Sequence, residues 1–224
     1  MPAIRIWDLP TRLFHWSLVM CVVGLVISAN IGGNAMTWHF RLGYAVLTLL
    51  LFRVVWGLVG GRWSRFTSFL YSPTTLFIYL RGRGQLEHGV GHSPTGALSV
   101  FALLALLLMQ VGSGLISDDE IAFAGPLVSL VASKTSALAT SYHKDIGKWL
   151  IMALIALHLV AILFYKFVKK TDLVAPMLHG DKELPPSIQH SKDTLGARLG
   201  ALLVLTCCAV AVERLVAWGG SGGF

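Results

Sequence analysis

The feature that most constrains this chain is the recurrence of apolar runs long enough to cross a bilayer. A helix rises about 1.5 Å per residue, so roughly 20 apolar residues cover ~30 Å of hydrocarbon. Runs of this kind occupy 13–31, 40–59, 96–117, 146–168 and 199–218. Of the 224 residues, 55% are hydrophobic and 13% charged, more apolar surface than a soluble fold of this size could hide. The pattern predicts an all-α integral membrane protein with five transmembrane helices and no separate soluble domain.

The net charge of +7 raises the question of nucleic acid, but its distribution points elsewhere. With the N-terminus on one side, Arg5, Arg12, Arg62, Arg65, Arg81, Arg83, Lys166, Lys169, Lys170, Lys182, Lys192 and Arg198 all fall on that side. The other side receives Lys134, Lys144 and Lys148, with Arg41 and Arg214 just inside helix ends. The positive-inside rule then predicts a multi-pass protein of the bacterial inner membrane with a cytoplasmic N-terminus. Five spans put the C-terminus, a flexible glycine-rich run, in the periplasm. No nucleic-acid partner is expected. Cys21, Cys207 and Cys208 lie inside spans and read as small packing residues, and no Cys-x-x-Cys-His motif attaches a c-type haem. The N-terminus shows no small-residue cleavage site, so the first span is expected to be retained.

Local signals mark the helix ends. Asp8 is suited to cap the first helix, Pro10 suits its first turn, and Ser93-Pro94 reads as the N-cap and first residue of the third. Trp7 and Trp16 fit an interfacial aromatic belt. Pro73–Leu80 reads as an amphipathic piece within a basic connection. The outer connection 118–142 is long for a tight bundle, with a short surface helix expected within 125–139 and the fourth transmembrane helix beginning after His143.

Polar groups inside a bilayer are costly and usually functional. Four of the eight histidines, His15, His39, His143 and His158, lie in or at the ends of spans. His15 stands roughly 8 Å beyond Pro10 and His158 roughly 12 Å before Lys166, which gives them a common cytoplasmic level. His39 and His143 open the second and fourth helices from the outside. The fifteen residues from His143 to His158 rise about 22 Å and return to within about 60° of the same direction. Two histidines at one depth on facing helices are what six-coordinate haem iron requires. A lone membrane histidine is often only an interhelical hydrogen-bonding group, but two depth-matched pairs are harder to explain in that way. Zinc lacks further ligands at either level. A transporter would more often carry mid-membrane carboxylates.

The cations follow the same levels. Arg53 lies about 21 Å beyond His39, deep in the second helix, where a haem propionate is a natural partner. Arg12 lies one turn from His15, and Arg41, Lys144 and Lys148 lie near the outer pair. For these four the alternative is snorkelling to the interface. His92 is a candidate to bond a propionate or a quinone head group, against a plain capping-region role.

These stretches together resemble the prokaryotic cytochrome b561 family, which includes hydrogenase-type b subunits. The similar segments are WDLPTRLFHW, WHFRLGY, FRVVWGLVG, GHSPTGAL, DDEIAFAGP and YHKDIGKWLIMALIALHLVAILFY, and they cover the chain to about Gly180. The resemblance implies a four-helix haem-binding bundle with two haem b groups, held by His15 with His158 and by His39 with His143. It also implies electron exchange between the quinone pool, ubiquinone or menaquinone, and a partner: a periplasmic c-type cytochrome, a hydrogenase or, in stand-alone relatives, superoxide. The implied organisation is a core at 1–170, a cytoplasmic connection at 171–194, and a fifth helix with an external tail at 195–224, the last a departure from four-helix relatives. The functional classes in competition are an electron-transfer subunit, a self-contained superoxide:quinone oxidoreductase and a non-redox scaffold. The outer lysines are expected to lie where an electron-exchange partner docks.

Overall fold

The structure is a computed structural model that describes residues 2–84 and 86–219. Among the described residues, five helices are long and apolar enough to cross a membrane. The chain is a multi-pass membrane protein. The long elements are α1 (Leu9–Ile31), α2 (Met36–Val59), α4 (Pro94–Leu115), α6 (Lys148–Phe167) and α8 (Leu195–Gly219), with the shorter α3 (Pro73–Leu80), α5 (Ser133–Ser141) and α7 (Val174–His179) between them. The expected glycine run past Gly219 lies outside the described residues.

Several local expectations hold. The Thr11 N–H donates to Asp8 Oδ1 at 2.9 Å and the Gly96 N–H to Ser93 Oγ at 3.2 Å, so both helix starts carry their predicted caps. Element α3 spans the expected residues, capped by Ser72. Two expectations change. The surface helix of the outer connection occupies Ser133–Ser141. It runs through a π-helical turn, Tyr142–Gly147, straight into α6. His143 therefore sits inside a helical stretch of 35 residues, Ser133–Phe167, and does not open it. The small and polar residues of α5 interrupt the apolar run, so hydropathy alone does not reveal this continuity.

The residues group into two compact units. The first comprises the chain up to Trp16, Arg53–Ala102 and Ala156–Val204. Its frame is a two-stranded antiparallel ribbon, β1 (Ala3–Arg5) with β2 (Asp181–Glu183), in which Ala3 faces Glu183 and Arg5 faces Asp181. The Ile6 and Trp7 N–H groups both donate to the Gly180 carbonyl, at 2.9 and 3.0 Å. Gly180 ends α7 at φ 96°, and a Cβ there would come 2.7 Å from the Trp7 carbonyl oxygen, so glycine is required twice over. Ile4, Ile6, Trp7 and Val90 form a buried cluster on this ribbon. Asp8 is fully buried and accepts from the Trp56 indole, the Gly61 N–H and the Ser64 hydroxyl besides Thr11. Arg5 pairs with Asp181 at 2.6 Å and Asp193 at 2.8 Å, and Arg198 joins Asp193 at 2.9 Å.

The second unit comprises Ser17–Phe52, Leu103–Ile155 and the chain from Leu205. Its core is Val46, Leu47 and Leu50 of α2, Leu107, Val111 and Leu115 of α4, Ile151 of α6 and Val212 of α8. The three- and four-residue spacings within α2 and α4 place these side chains on single helix faces. The outer connection folds back on the end of α4. The Leu127 N–H caps the Leu115 carbonyl at 2.8 Å and the Gly125 N–H caps Ser117 at 2.7 Å. Asp119 Oδ1 accepts the N–H groups of Ile121, Ala122 and Phe123, and these bonds hold its carboxyl below the ordinary range.

Candidate functional site

In the second unit, His39 of α2 and His143 of the π-helical turn face each other. Their ring centres are 6.1 Å apart with planes at 82°. His143 Nδ1 lies 2.8 Å from the Gln110 carbonyl and 3.3 Å from Ser113 Oγ. His39 Nδ1 lies 3.2 Å from the Leu25 carbonyl and 3.4 Å from Ser28 Oγ. The two sites share one construction: a helix carbonyl with a serine three residues further on. A carbonyl only accepts, so Nδ1 of each ring carries the proton and Nε2 keeps its lone pair. That is the tautomer a metal-binding imidazole uses, fixed by its second hydrogen bond.

Gln110 holds His143 at two points. Its carbonyl accepts from the ring, and its Nε2 donates to the His143 backbone carbonyl at 3.0 Å. A π-helical turn disturbs the usual backbone pairing, and the Gln110 amide supplies a partner inside one. Gly114 makes the space: a Cβ there would stand 2.8 Å from His143 Cε1. Gln110, Ser113 and Ser28 were not singled out in the sequence. A lone amide in an apolar run, costly in lipid, was the available signal for Gln110.

Of the expected outer cations, Arg41 lies over the Trp38 ring at 5.3 Å and Lys148 over Trp149 at 5.0 Å. Lys144 is exposed. None of the three donates a hydrogen bond to another described residue, and the cation–aromatic pairs are of the interface-anchor kind.

The first unit holds His15 of α1, His158 of α6, Arg53 of α2, Arg12 and His92. No hydrogen bond to another described residue fixes either ring nitrogen of His15 or His158. His92 packs between Trp7 and Phe69, with ring centres at 4.7 and 4.4 Å. Burial pushes its imidazole down to about 3, helped by the positive charge of Arg53 and Lys182 and by His15 and His158, so it is neutral at pH 7. Arg53 is 3% exposed, its guanidinium 4.7 Å over Phe66. Arg12 donates from Nη1 to the Leu178 carbonyl at 2.5 Å, at the end of α7. Among the described residues, the buried Arg53 Nη1, Arg12 Nε and His92 Nδ1 have no hydrogen-bond partner. A buried donor without an acceptor costs about 1–3 kcal/mol, so an anionic acceptor suits the place.

Two imidazoles on opposite sides of one metal atom, with metal–nitrogen bonds of roughly 2 Å, hold their ring centres about 6 Å apart. The His39–His143 separation meets that requirement. In the first unit the spare guanidinium nitrogens match the carboxylates a haem carries.

Paired imidazoles on membrane-spanning helices, with ring tautomers set from behind, define the class of b-type membrane cytochromes. The profile of the prokaryotic cytochrome b561 family matches residues 6–180, and the chain belongs to that family. It is similar to the probable Ni/Fe-hydrogenase 1 B-type cytochrome subunit of Escherichia coli (strain K12), 23% identical over 212 residues that cover 78% of this chain and 88% of the relative. The probable Ni/Fe-hydrogenase B-type cytochrome subunit of Bradyrhizobium diazoefficiens is 19% identical, with coverage of 81% and 87%. That of Azotobacter chroococcum mcd 1 is 22% identical, with coverage of 80% and 88%. No solved structure matches the chain. Element α8 lies beyond the residues matched by the family.

Proposed function

We propose that the chain is a di-haem electron carrier that links the quinone pool to a redox partner protein. In this reading His39 and His143 hold one haem and His15 and His158 the other. Arg53, Arg12 and His92 serve the propionates of the second. Each haem, when bound, supplies one-electron oxidation and reduction. The chain's own residues would supply the imidazole ligands, and the Leu25 and Gln110 carbonyls set the tautomers of His39 and His143. The observation that carries the reading is the His39–His143 pair, 6.1 Å apart with both Nδ1 atoms turned to backbone carbonyls.

The proposed partner is a hydrogenase-type catalytic subunit, a role supported by the names of the relatives; a c-type cytochrome is the other candidate. The proposed orientation has the N-terminus in the cytoplasm, supported by the basic residues of the first unit's connections. Exposed Lys134, Lys144 and Lys148 then give the opposite face the charge to steer an acidic partner or an anionic substrate. The test is a pyridine haemochrome assay on purified full-length protein. Two haems per chain are expected, and one or none on fully loaded protein would overturn the pairing. Superoxide-dependent haem reduction without any partner protein would instead identify a self-contained oxidoreductase.

A further inference from the structure

Away from the histidine pairs, the first unit contains a polar cleft of about 370 Å³ lined by Arg62, Trp63, Arg65, Thr67, Ser68 and His88. Its depth follows from α2. The 24 residues of that helix rise about 36 Å against ~30 Å of hydrocarbon, so Arg62, three residues past its end, falls among lipid headgroups.

The walls are fixed. The Trp63 N–H donates to Ser191 Oγ at 3.3 Å and its indole to the Gln189 carbonyl at 2.8 Å. The Arg62 guanidinium lies 5.5 Å over that indole. Ser68 Oγ ties back to the Arg65 carbonyl at 2.6 Å. His88, 9% exposed, has the Tyr71 and Tyr79 rings edge-on at 5.4 and 5.8 Å. Among the described residues no carboxylate lines the cleft, and neither arginine has an ion pair. The larger cavity of about 800 Å³ beside β1 differs in this respect, because its Arg5 and Arg198 are neutralised by Asp181 and Asp193.

Two unneutralised guanidiniums beside hydroxyl groups match the oxygens of a phosphate, which arginine can meet with paired hydrogen bonds. Basic pockets at this depth take anionic headgroups. We propose that the cleft binds a phosphate-bearing anion, supplied by an anionic phospholipid headgroup or as free phosphate.

Native mass spectrometry of the full chain, equilibrated in detergent with phosphatidylglycerol or phosphatidylcholine, tests this. Each guanidinium near an anionic surface favours it about fivefold, so the pair is expected to give phosphatidylglycerol about a thirtyfold advantage. R62Q/R65Q should abolish the preference, R62K/R65K should retain part of it, and R81Q/R83Q, outside the lining, should leave it intact. Helical circular dichroism checks folding; if R62Q/R65Q does not fold, loss or retention in the single variants R62Q and R65Q decides. Inorganic phosphate that displaces phosphatidylglycerol from the wild type, or binds the wild type and not R62Q/R65Q, supports the site and identifies a free-phosphate source. Equal binding of both lipids together with no phosphate binding, or equal loss in R81Q/R83Q, overturns the proposal.

Discussion

The two units treat their histidines in opposite ways. In the second, each ring is tied from behind to a helix carbonyl, and Gln110 grips His143 at two points. In the first, His15 and His158 have no such tie among the described residues, where nitrogens of Arg53, Arg12 and His92 in the same unit are also unpartnered. One unit prearranges the ligands of the proposed cofactor; the other prearranges the groups that meet its periphery. A cofactor held in the first way depends on hydrogen bonds behind the ligands. One held in the second way depends on charge.

The largest effects should come from the ligands themselves. His143→Ala is expected to leave one haem per chain and His158→Ala to leave the other, distinguishable by their potentials in a redox titration of the absorption bands. If either protein keeps both haems, the division between the units fails. Next, Arg53→Gln should weaken retention at the His15–His158 site roughly 10–100-fold, from the loss of a charged hydrogen bond of about 1.5–3 kcal/mol. The His39–His143 site should be untouched, and equal weakening at both would erase the contrast. Gln110→Leu should act on the opposite site and more gently. One neutral hydrogen bond of about 1 kcal/mol corresponds to roughly fivefold weaker retention there, read by competition with a haem-binding apoprotein.

The smallest effect concerns the second unit away from its histidines. Backbone donors lower the Asp119 pKa in the fold. Its contribution to the turn is therefore complete above the ordinary carboxylate value of about 3.9 and is lost as the pH falls through the lowered folded value. Hydrogen exchange at Ile121–Phe123 should stay slow at pH 5 and quicken only in stronger acid. Quickening that begins at pH 6 would show that another group holds the turn.

What the sequence made legible was periodic or local. Spans, caps and the α3 boundaries followed from runs of apolar residues and from single residues such as Asp8 and Ser93. The facing of His39 and His143 followed from counting residues along helices. The missing parts depend on distant partners. Nothing near Arg5 announces Asp181, 176 residues away, so the ribbon and its ion pairs were invisible. The π-helical turn was equally hidden, because its backbone partner is an amide on another helix. Arg12 was read from its place one turn before His15, and its Nη1 reaches the end of α7, an element that a polar, proline-containing connection did not advertise. Asp8 read as a cap, and it is also the centre of a buried polar hub.

The β1–β2 ribbon has a consequence for how the chain is made. Ala3 pairs with Glu183, so β1 has no partner until 183 − 3 = 180 further residues have been added. At ~5–20 residues per second that interval is roughly 9–36 s. During it the first four long helices are delivered to the membrane while Ile4, Ile6 and Trp7 lack the surface that later buries them. The ribbon of the first unit thus closes only after α1, α2, α4 and α6 have been made, a late latch on helices already delivered to the membrane.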